Sequence, residues 1–513
     1  MTESAVWKAI DPSTGEVFAE IKGTPLDEVP NLYERAHQGF NSWSTLSLEA
    51  RVSYLKKLRI HLNGHLDDVV DAIHKSTGKV PLEALTNEVL PVLNMIEYIE
   101  KNARKVLGIQ PKPTPLILKG KSSHVEYVAR GTVLVISPSN YPFHLAMVPV
   151  LNALVAGNTV ILKTSEAVPY MGQYIEELFY EVGFPDDVLQ AAHGDGDLGQ
   201  ALIAEQPDYI FFTGSDTTGR KIAEAAGSNL IPLTLELGGK DPMLVFADAN
   251  IPRAVRGAAW GAFTNSGQVC MSVERLYVEA SIYDRFLEQL VEFTESLVPG
   301  GDPDADLGAM TSMQEVKLVE ELLLDALAKG ARLVTGLPPE EWNFDNGRYL
   351  KPMILTDVTA DMRIAKEEAF GPLLAVMAFD NERQAVQLAN DSRFGLNASV
   401  WSSDLEKARR VASRLVCGGV LINDVILTVA NPNLPFGGAK DSGIGRYQAE
   451  IGLRIFCHEK AVMVDQGRRQ QEISWFPYIG KYPKFKQLCQ ALFGRYRNWP
   501  ALLVAYLKLK QKR

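Results

Sequence analysis

Cysteine is scarce in this chain, and nothing pairs it. Cys270, Cys417, Cys457 and Cys489 stand far apart and form no Cys-x-x-Cys motif. That argues against a disulfide framework and against a cysteine-based zinc site, and no metal is expected. Free thiols fit a reducing compartment. Also missing is an apolar run of the roughly 18–20 residues a membrane-crossing helix needs. The opening stretch, Met1-Thr-Glu-Ser-Ala-Val-Trp-Lys8, lacks the apolar centre of a signal peptide, so the expected location is cytoplasmic. A basic balance is absent too: the net charge is −10, and nucleic-acid binders are normally basic. Internal repeats and low-complexity segments are not found.

What is present is ordinary globular composition, 46% hydrophobic and 22% charged over 513 residues. That length suggests more than one folding unit around a large apolar core. Residues 28–105 carry Val52, Leu55, Leu58, Ile60 and Leu62 at helical spacing and predict helices. Gln110-Pro-Lys-Pro-Thr-Pro115 interrupts the pattern and predicts a connector. Short apolar runs at 132–136, 158–162 and 209–212 then alternate with helical segments near 144–156 and 171–182. Such alternation predicts βαβ units with a parallel sheet, whose ligands lie at the carboxyl ends of the strands. A second α/β stretch begins near Gly238, with helices predicted at 252–265, 281–297, 314–329 and 403–416. Its predicted strands lie at 275–278, 373–377 and 419–422. The simplest architecture is two α/β lobes with a cleft between them.

Several segments carry residue types suited to chemistry. Phe263-Thr-Asn-Ser-Gly-Gln-Val-Cys-Met-Ser272 brings a small polar stretch up to Cys270. A thiolate is a strong covalent catalyst, although an isolated buried cysteine is more often inert. Leu233-Thr-Leu-Glu-Leu-Gly-Gly-Lys-Asp241 sets Glu236 in an apolar run. Desolvation there raises a carboxyl and suits it to general-base work; a plain strand-end ion pair is the blander reading. In Ile136-Ser-Pro-Ser-Asn-Tyr-Pro-Phe-His144, Asn140 follows a buried strand, where a held amide can serve an oxyanion or simply shape a turn.

Leu162-Lys-Thr-Ser-Glu166 puts Lys163 and Glu166 at a strand end, where they suit ribose hydroxyls or phosphate. Phe212-Thr-Gly-Ser-Asp-Thr-Thr-Gly219 opens a helix whose free N–H groups favour a diphosphate. No clean Gly-x-Gly-x-x-Gly occurs at these strand ends. Ala365-Lys-Glu-Glu-Ala-Phe-Gly-Pro372 reads alone as a capped turn, and Pro435-Phe-Gly-Gly-Ala-Lys-Asp-Ser-Gly-Ile-Gly445 as a loop shaping the cleft or the domain junction.

Together these segments resemble the aldehyde dehydrogenase superfamily. They run in family order from Ile136 to Gly445, with Glu236 and Cys270 standing 34 residues apart. The resemblance implies NAD or NADP as cofactor and oxidation of an aldehyde to a carboxylic acid. It casts Cys270 as nucleophile, Asn140 with the Cys270 backbone N–H as oxyanion donors, and Glu236 as the base that activates water against a thioester. It puts Lys163 and Glu166 at the adenosine ribose, Gly199 near the adenine end, and Ser215, Thr218 and Gly219 at the diphosphate. Glu368 and Phe370 fall to the nicotinamide ribose and ring, with Ile136, Ser137, Phe212, Thr213, Gly214 and Leu237 lining the same cleft. Ser139-Asn-Tyr-Pro142 and Lys163-Thr-Ser-Glu166 depart from the commoner Trp-Asn-Phe-Pro and Lys-Pro-Ser/Ala-Glu without removing a reacting group. The expected pocket is apolar: Tyr141, Phe143, Met147, Val269, Met271 and Val425. With Asn423-Asp-Val-Ile-Leu427 and Leu434-Pro-Phe-Gly-Gly438, it is similar to the fatty-aldehyde branch and implies a medium- or long-chain aliphatic aldehyde. A CoA-acylating relative and a non-catalytic protein on the same fold are the alternatives.

The implied organisation is an α/β fold. A Rossmann-type cofactor domain takes 1–118 and 131–237, and a catalytic domain takes 238–438. A small β oligomerisation arm takes 119–130 and 456–466. A homodimer or tetramer follows from the resemblance. The remainder, 467–513, changes character: from Arg468 onward eleven Lys and Arg face one acid, Glu472, among many aromatics. It reads as a peripheral contact with an anionic membrane surface, as a cap over the substrate entrance or a partner subunit, or as a solvated packing extension.

Overall fold

The computed structural model describes residues 5–302, 304–337 and 347–510. The chain forms two compact units, Met1–Gly108 with Tyr127–Lys460, and Ile109–Glu126 with Ala461–Arg513.

The first unit opens with a hairpin of β1 (Val6–Ile10) and β2 (Val17–Lys22). The expected helical region follows as Val29–Trp43, Leu48–Gly64, Leu66–Thr77 and Leu90–Leu107. Leu55, Leu58 and Leu62 are fully buried. Ile60, grouped with them by spacing, is 59% exposed; two residues from Leu58 and from Leu62 is the far side of a 3.6-residue turn. The predicted connector contains a strand, β3 (Gln110–Lys112), antiparallel to β4 (Lys121–Ala129). Pro111 is tolerated because β3 is an edge strand.

The first large sheet is built from β5 (Thr132–Ile136), β6 (Thr159–Lys163), β7 (Leu189–Ala192), β8 (Tyr209–Thr213) and β9 (Leu233–Glu236). All are parallel, in the order β9-β8-β5-β6-β7. Val, Ile, Leu and Phe fill β5, β6 and β8 because both faces of a parallel sheet are covered. The chain runs outward from β5 to β7, then returns to the other side of β5 as β8. This reversal opens a crevice at the carboxyl ends of β5 and β8, the usual ligand position in an open α/β sheet.

The second sheet comprises β10 (Asp241–Val245), β11 (Val273–Glu279), β12 (Arg332–Leu333), β13 (Met353–Thr356), β14 (Leu373–Phe379), β15 (Asn397–Trp401) and β16 (Gly419–Ile422). Its order is β12-β13-β14-β11-β10-β15-β16, parallel except for β12. The chain then returns to the first sheet as β17 (Gly443–Ile444), antiparallel to β9. It leaves through β18 (Cys457–Asp465), which joins β4 and β3. Only residues 237–240 separate β9 from β10, so the carboxyl edge of the first sheet leads directly to the amino edge of the second.

In the second unit, residues 481–510 form two helices, Lys481–Phe493 and Trp499–Lys510. They pack through Leu488, Ala491, Leu502, Ala505 and Leu509, joined by Ile117 and Ile473.

Candidate active site

Cys270 stands at the end of a strained turn. Helix Ile251–Phe263 stops, and Asn265, Ser266 and Gly267 follow with φ of 51°, 55° and 75°. Consecutive left-handed non-glycine residues persist only where the surroundings hold them. Here the buried Glu83 accepts from Thr264 Oγ1 at 2.6 Å and from Asn265 N at 2.8 Å. Ser266 Oγ donates to Gly308 O at 2.7 Å. Gly267 lies so close to the 368–372 loop that a Cβ there would sit 2.2 Å from Gly371 O. The turn leaves Cys270 half-buried, just ahead of β11.

Asn140 reaches the same turn from the carboxyl end of β5. Its Nδ2 donates to Gln268 O at 3.0 Å, which leaves the second amide hydrogen available. Its backbone carbonyl accepts from Lys79 Nζ at 2.8 Å and from Asn265 Nδ2 at 3.2 Å. Lys79 is fully buried and forms an ion pair with the equally buried Glu88. Glu88 Oε2 in turn accepts from Phe143 N at 2.8 Å and His144 N at 3.2 Å, at the start of helix His144–Val155, where N–H groups favour an anion. Lys79 Nζ also lies 4.0 Å from the Tyr141 ring centre. The loop carrying Asn140 is thus gripped by one buried lysine and one buried glutamate, both supplied by residues 79–88.

Glu236 closes β9. It is buried, and neither carboxylate oxygen has a hydrogen-bond partner among the described residues. Burial pushes it well above the ordinary carboxyl range, opposed only by the charge of Arg446. Arg446 Nη1 is itself taken by the carbonyls of Gly438 and Gly445, each at 2.6 Å. Gly437 has φ of +150°, and a Cβ there would lie 2.9 Å from Glu236 Oε1. The glycine-rich loop therefore lets its backbone approach the carboxylate, as only glycine readily allows. The thiol of Cys270 is raised by burial first and then by Glu368, Asp241 and Glu236, with its own backbone N–H opposing. Burial likewise lifts the Tyr447 hydroxyl, with Glu236 and Cys270 adding to the shift, so these groups share one electrostatic neighbourhood.

The connection 237–240 brings in the next loop. A Cβ on Gly239 would lie 2.3 Å from Cys270 O, and one on Gly238 would lie 2.1 Å from Glu368 Oε2. Gly239 N donates to Glu368 Oε1 at 3.2 Å. Burial, followed by the charge of Glu274, pushes Glu368 up to about 8. Glu274 pairs with Lys240 and accepts from Ala369 N at 2.8 Å, fixing the backbone on which Phe370 adopts φ of 49°. Cys270 precedes β11 and Glu368 precedes β14, so the second sheet meets the site with its amino edge, not with the carboxyl edge that α/β ligands usually occupy.

The other expected cofactor residues gather at the carboxyl edge of the first sheet. Ile136 ends β5 and Ser137 follows it, with Ser137 Oγ buried without a partner among the described residues. Lys163 ends β6, almost buried, 3.6 Å from the exposed Glu166. Gly199 packs over it, where a Cβ would lie 3.8 Å from Lys163 Cδ. Phe212, Thr213 and Gly214 lead from β8 to Ser215, which caps helix Asp216–Ser228 by accepting from Thr218 N at 3.3 Å. A Cβ on Gly219 would strike Leu237 Cδ2 at 2.6 Å. A capped helix start, an unpartnered hydroxyl and a lysine–glutamate pair along one strand edge fit a dinucleotide.

Of the expected pocket residues, Val269 and Met271 flank Cys270, the Tyr141 hydroxyl feels its charge, and Val425 is buried with its Cγ2 3.2 Å from where a Gly261 Cβ would stand. Phe143 and Met147 have no exposed surface, and all six belong to one apolar core cluster. Sequence reading missed Lys79, Glu83, Glu88, Asn265 and Glu274. The signal for two of them was present: Glu83 and Glu88 are the two charged residues in the largely apolar stretch Val80 to Val92.

Fold and site together define an α/β oxidoreductase built on two large sheets, with a cysteine just ahead of a strand of the second. Residues 1–462 match the aldehyde dehydrogenase family, and the chain belongs to that family as an NAD(P)-dependent enzyme. It is 41% identical over 488 residues to the 4,4'-diapolycopene aldehyde oxidase of a Methylomonas species, covering 95% of this chain and 91% of that protein. It is 36% identical to the vanillin dehydrogenase of Corynebacterium glutamicum, covering 88% of this chain and 92% of that one. The crystal structure of betaine aldehyde dehydrogenase from Staphylococcus aureus in complex with NAD+ aligns with a TM-score of 0.86 at 30% identity, over 92% of this chain and 93% of that one.

Proposed function

We propose that this chain oxidises a lipophilic aldehyde to its carboxylic acid through a covalent adduct on Cys270. The observation that carries the reading is the meeting of the half-buried Cys270, the clamped Asn140 amide and the unpartnered Glu236 carboxyl at the junction of the two sheets.

The Cys270 thiol releases its proton to water, and the sulfur adds to the carbonyl carbon as the C=O π electrons pass to oxygen. The negative charge that develops on oxygen is met by the free Asn140 N–H and the Cys270 backbone N–H, donors fixed before the reaction begins. Lys163, Glu166 and Ser215 would hold the dinucleotide, with Glu368 and Phe370 at its nicotinamide end; the chemistry it supplies when bound is acceptance of hydride. Loss of hydride from the adduct leaves a thioester on Cys270. Glu236 then takes a proton from water, and the resulting hydroxide cleaves the thioester. With no ion pair holding it in place among the described residues, Glu236 is free to serve this step, which favours hydrolysis over transfer to CoA.

The flanking Val269 and Met271 and the buried Tyr141 and Val425 favour an apolar substrate. Two relatives named for long apolar aldehydes add support: the Methylomonas oxidase and the 4,4'-diaponeurosporen-aldehyde dehydrogenase of Staphylococcus aureus, the latter 33% identical. The test is a kinetic panel of straight-chain aldehydes of rising length beside succinic semialdehyde, run with NAD+ and with NADP+. Rising kcat/KM with length is expected, roughly 0.8 kcal/mol or a few-fold per added buried CH2. Cys270→Ala should remove NAD(P)H production altogether, and a variant that keeps it overturns the nucleophile assignment. Acyl-CoA formed in the presence of CoA would overturn the hydrolytic step.

A further inference from the structure

We infer that the C-terminal helical hairpin docks onto an anionic lipid surface. The hairpin buries one side of helix Trp499–Lys510 through Leu502, Ala505 and Leu509. Its other side is apolar as well: Trp499 is 56%, Leu503 60% and Leu507 50% exposed. These three repeat at i, i+4 and i+8 and form a stripe along the helix. An apolar stripe left exposed opposite a helix's buried side is ordinarily covered by a further partner. Ahead of the hairpin, Phe476 and Ile479 are 75% and 85% exposed.

Charge identifies what fits this surface. No acidic residue follows Glu472, whereas nine Lys and Arg do, in a chain whose net charge is −10. Arg495 and Arg497 are exposed and lie 5.7 Å and 6.0 Å from the Tyr496 and Trp499 ring centres. Tryptophan and tyrosine beside cations, with aliphatic side chains between them, match the boundary between headgroups and acyl chains, where each basic residue adds attraction to an anionic leaflet. A second copy of the chain is a poorer occupant, because a two-fold contact through this face would set like charges against each other. The helix lies on a membrane and does not cross one: its 12 residues span about 18 Å, against a hydrocarbon core of about 30 Å.

The test is co-sedimentation of the full-length protein with phosphatidylglycerol–phosphatidylcholine vesicles and with pure phosphatidylcholine vesicles. Binding to the anionic vesicles is expected to be at least about tenfold tighter and to weaken with salt. The exposed pair R495E/R497E should lose about tenfold or more of that affinity, and L503D should lose it as well. Brominated acyl chains should quench tryptophan emission, and W475F/W499F should remove the quenching while the other tryptophans report an intact fold. Equal binding to both vesicles, no binding, or quenching that survives W475F/W499F overturns the inference. So does an L503D variant that changes the sedimentation-velocity mass while vesicle binding stays the same, which would assign the face to a second copy.

Discussion

Glu236 shows how one residue acquires a task from its surroundings. A carboxyl on the last residue of a buried strand, with no donor to either oxygen, holds its proton far more tightly than in the unfolded chain. As a base it works only when ionised. Its raised value therefore predicts a deacylation rate that climbs with pH on the alkaline side of the ordinary carboxyl range. Glu236→Gln should flatten that climb and lower steady-state turnover by about 10²–10⁴-fold, while a single-turnover burst of NAD(P)H persists. Stopped-flow absorbance over a pH series separates the two phases, and an unchanged profile would remove the residue from the mechanism. Stability carries the opposite sign. The folded state binds this proton more tightly, so its contribution is full below the ordinary glutamate range and is lost as pH rises through the folded value. Denaturant titrations of the Gln variant should lack that alkaline loss.

At the scale of elements, the residues that react were easier to find than the residues that hold them. Cys270, Glu236 and Asn140 stand in short segments whose polar or glycine-rich character contrasts with their apolar neighbours, and that contrast is local in sequence. Lys79 and Glu88 act at Asn140 from 61 and 52 positions away, through contacts that no local pattern encodes. The π-helical turn Leu85–Val89 re-aims Glu88 and leaves little trace in an apolar periodicity; such turns are frequent at functional sites. Removing one member of this pair strands a buried charge, so Lys79→Met should cost about 3–5 kcal/mol in urea unfolding. The double variant K79M/E88L should recover part of that stability, because an apolar pair is tolerated in place of buried ions, although the Phe143 and His144 N–H groups lose their acceptor. It should not recover kcat: the Asn140 carbonyl loses its 2.8 Å donor, and a displaced oxyanion amide costs up to about 100-fold. Full recovery of both quantities would make the pair a packing device and nothing more.

At the scale of the whole molecule, alternation of strand and helix was enough to read two parallel-stranded α/β sheets, since each β-α step writes its own periodicity, although both lie within one compact unit. The orientation of the second sheet was not readable. That its amino edge faces the first sheet depends on the short connection 237–240 and on strand order, which only pairing across the chain reveals. The tail divides in the same way. Its charge and aromatic content are compositional and visible, whereas its hairpin rests on Leu488, Leu502 and Leu509 meeting Ile117 from more than 350 residues earlier. All the residues proposed for catalysis and cofactor binding lie in the first unit, and among the described residues the hairpin's core draws its side chains from the second. A chain ended after Asp465 should therefore keep kcat/KM for a small water-soluble aldehyde within about twofold, the change expected when no contact that stabilises the transition state is altered. If the truncated protein folds, as judged by circular dichroism, yet loses that activity, the hairpin has to contribute to the site itself, and the division of labour between the two units fails.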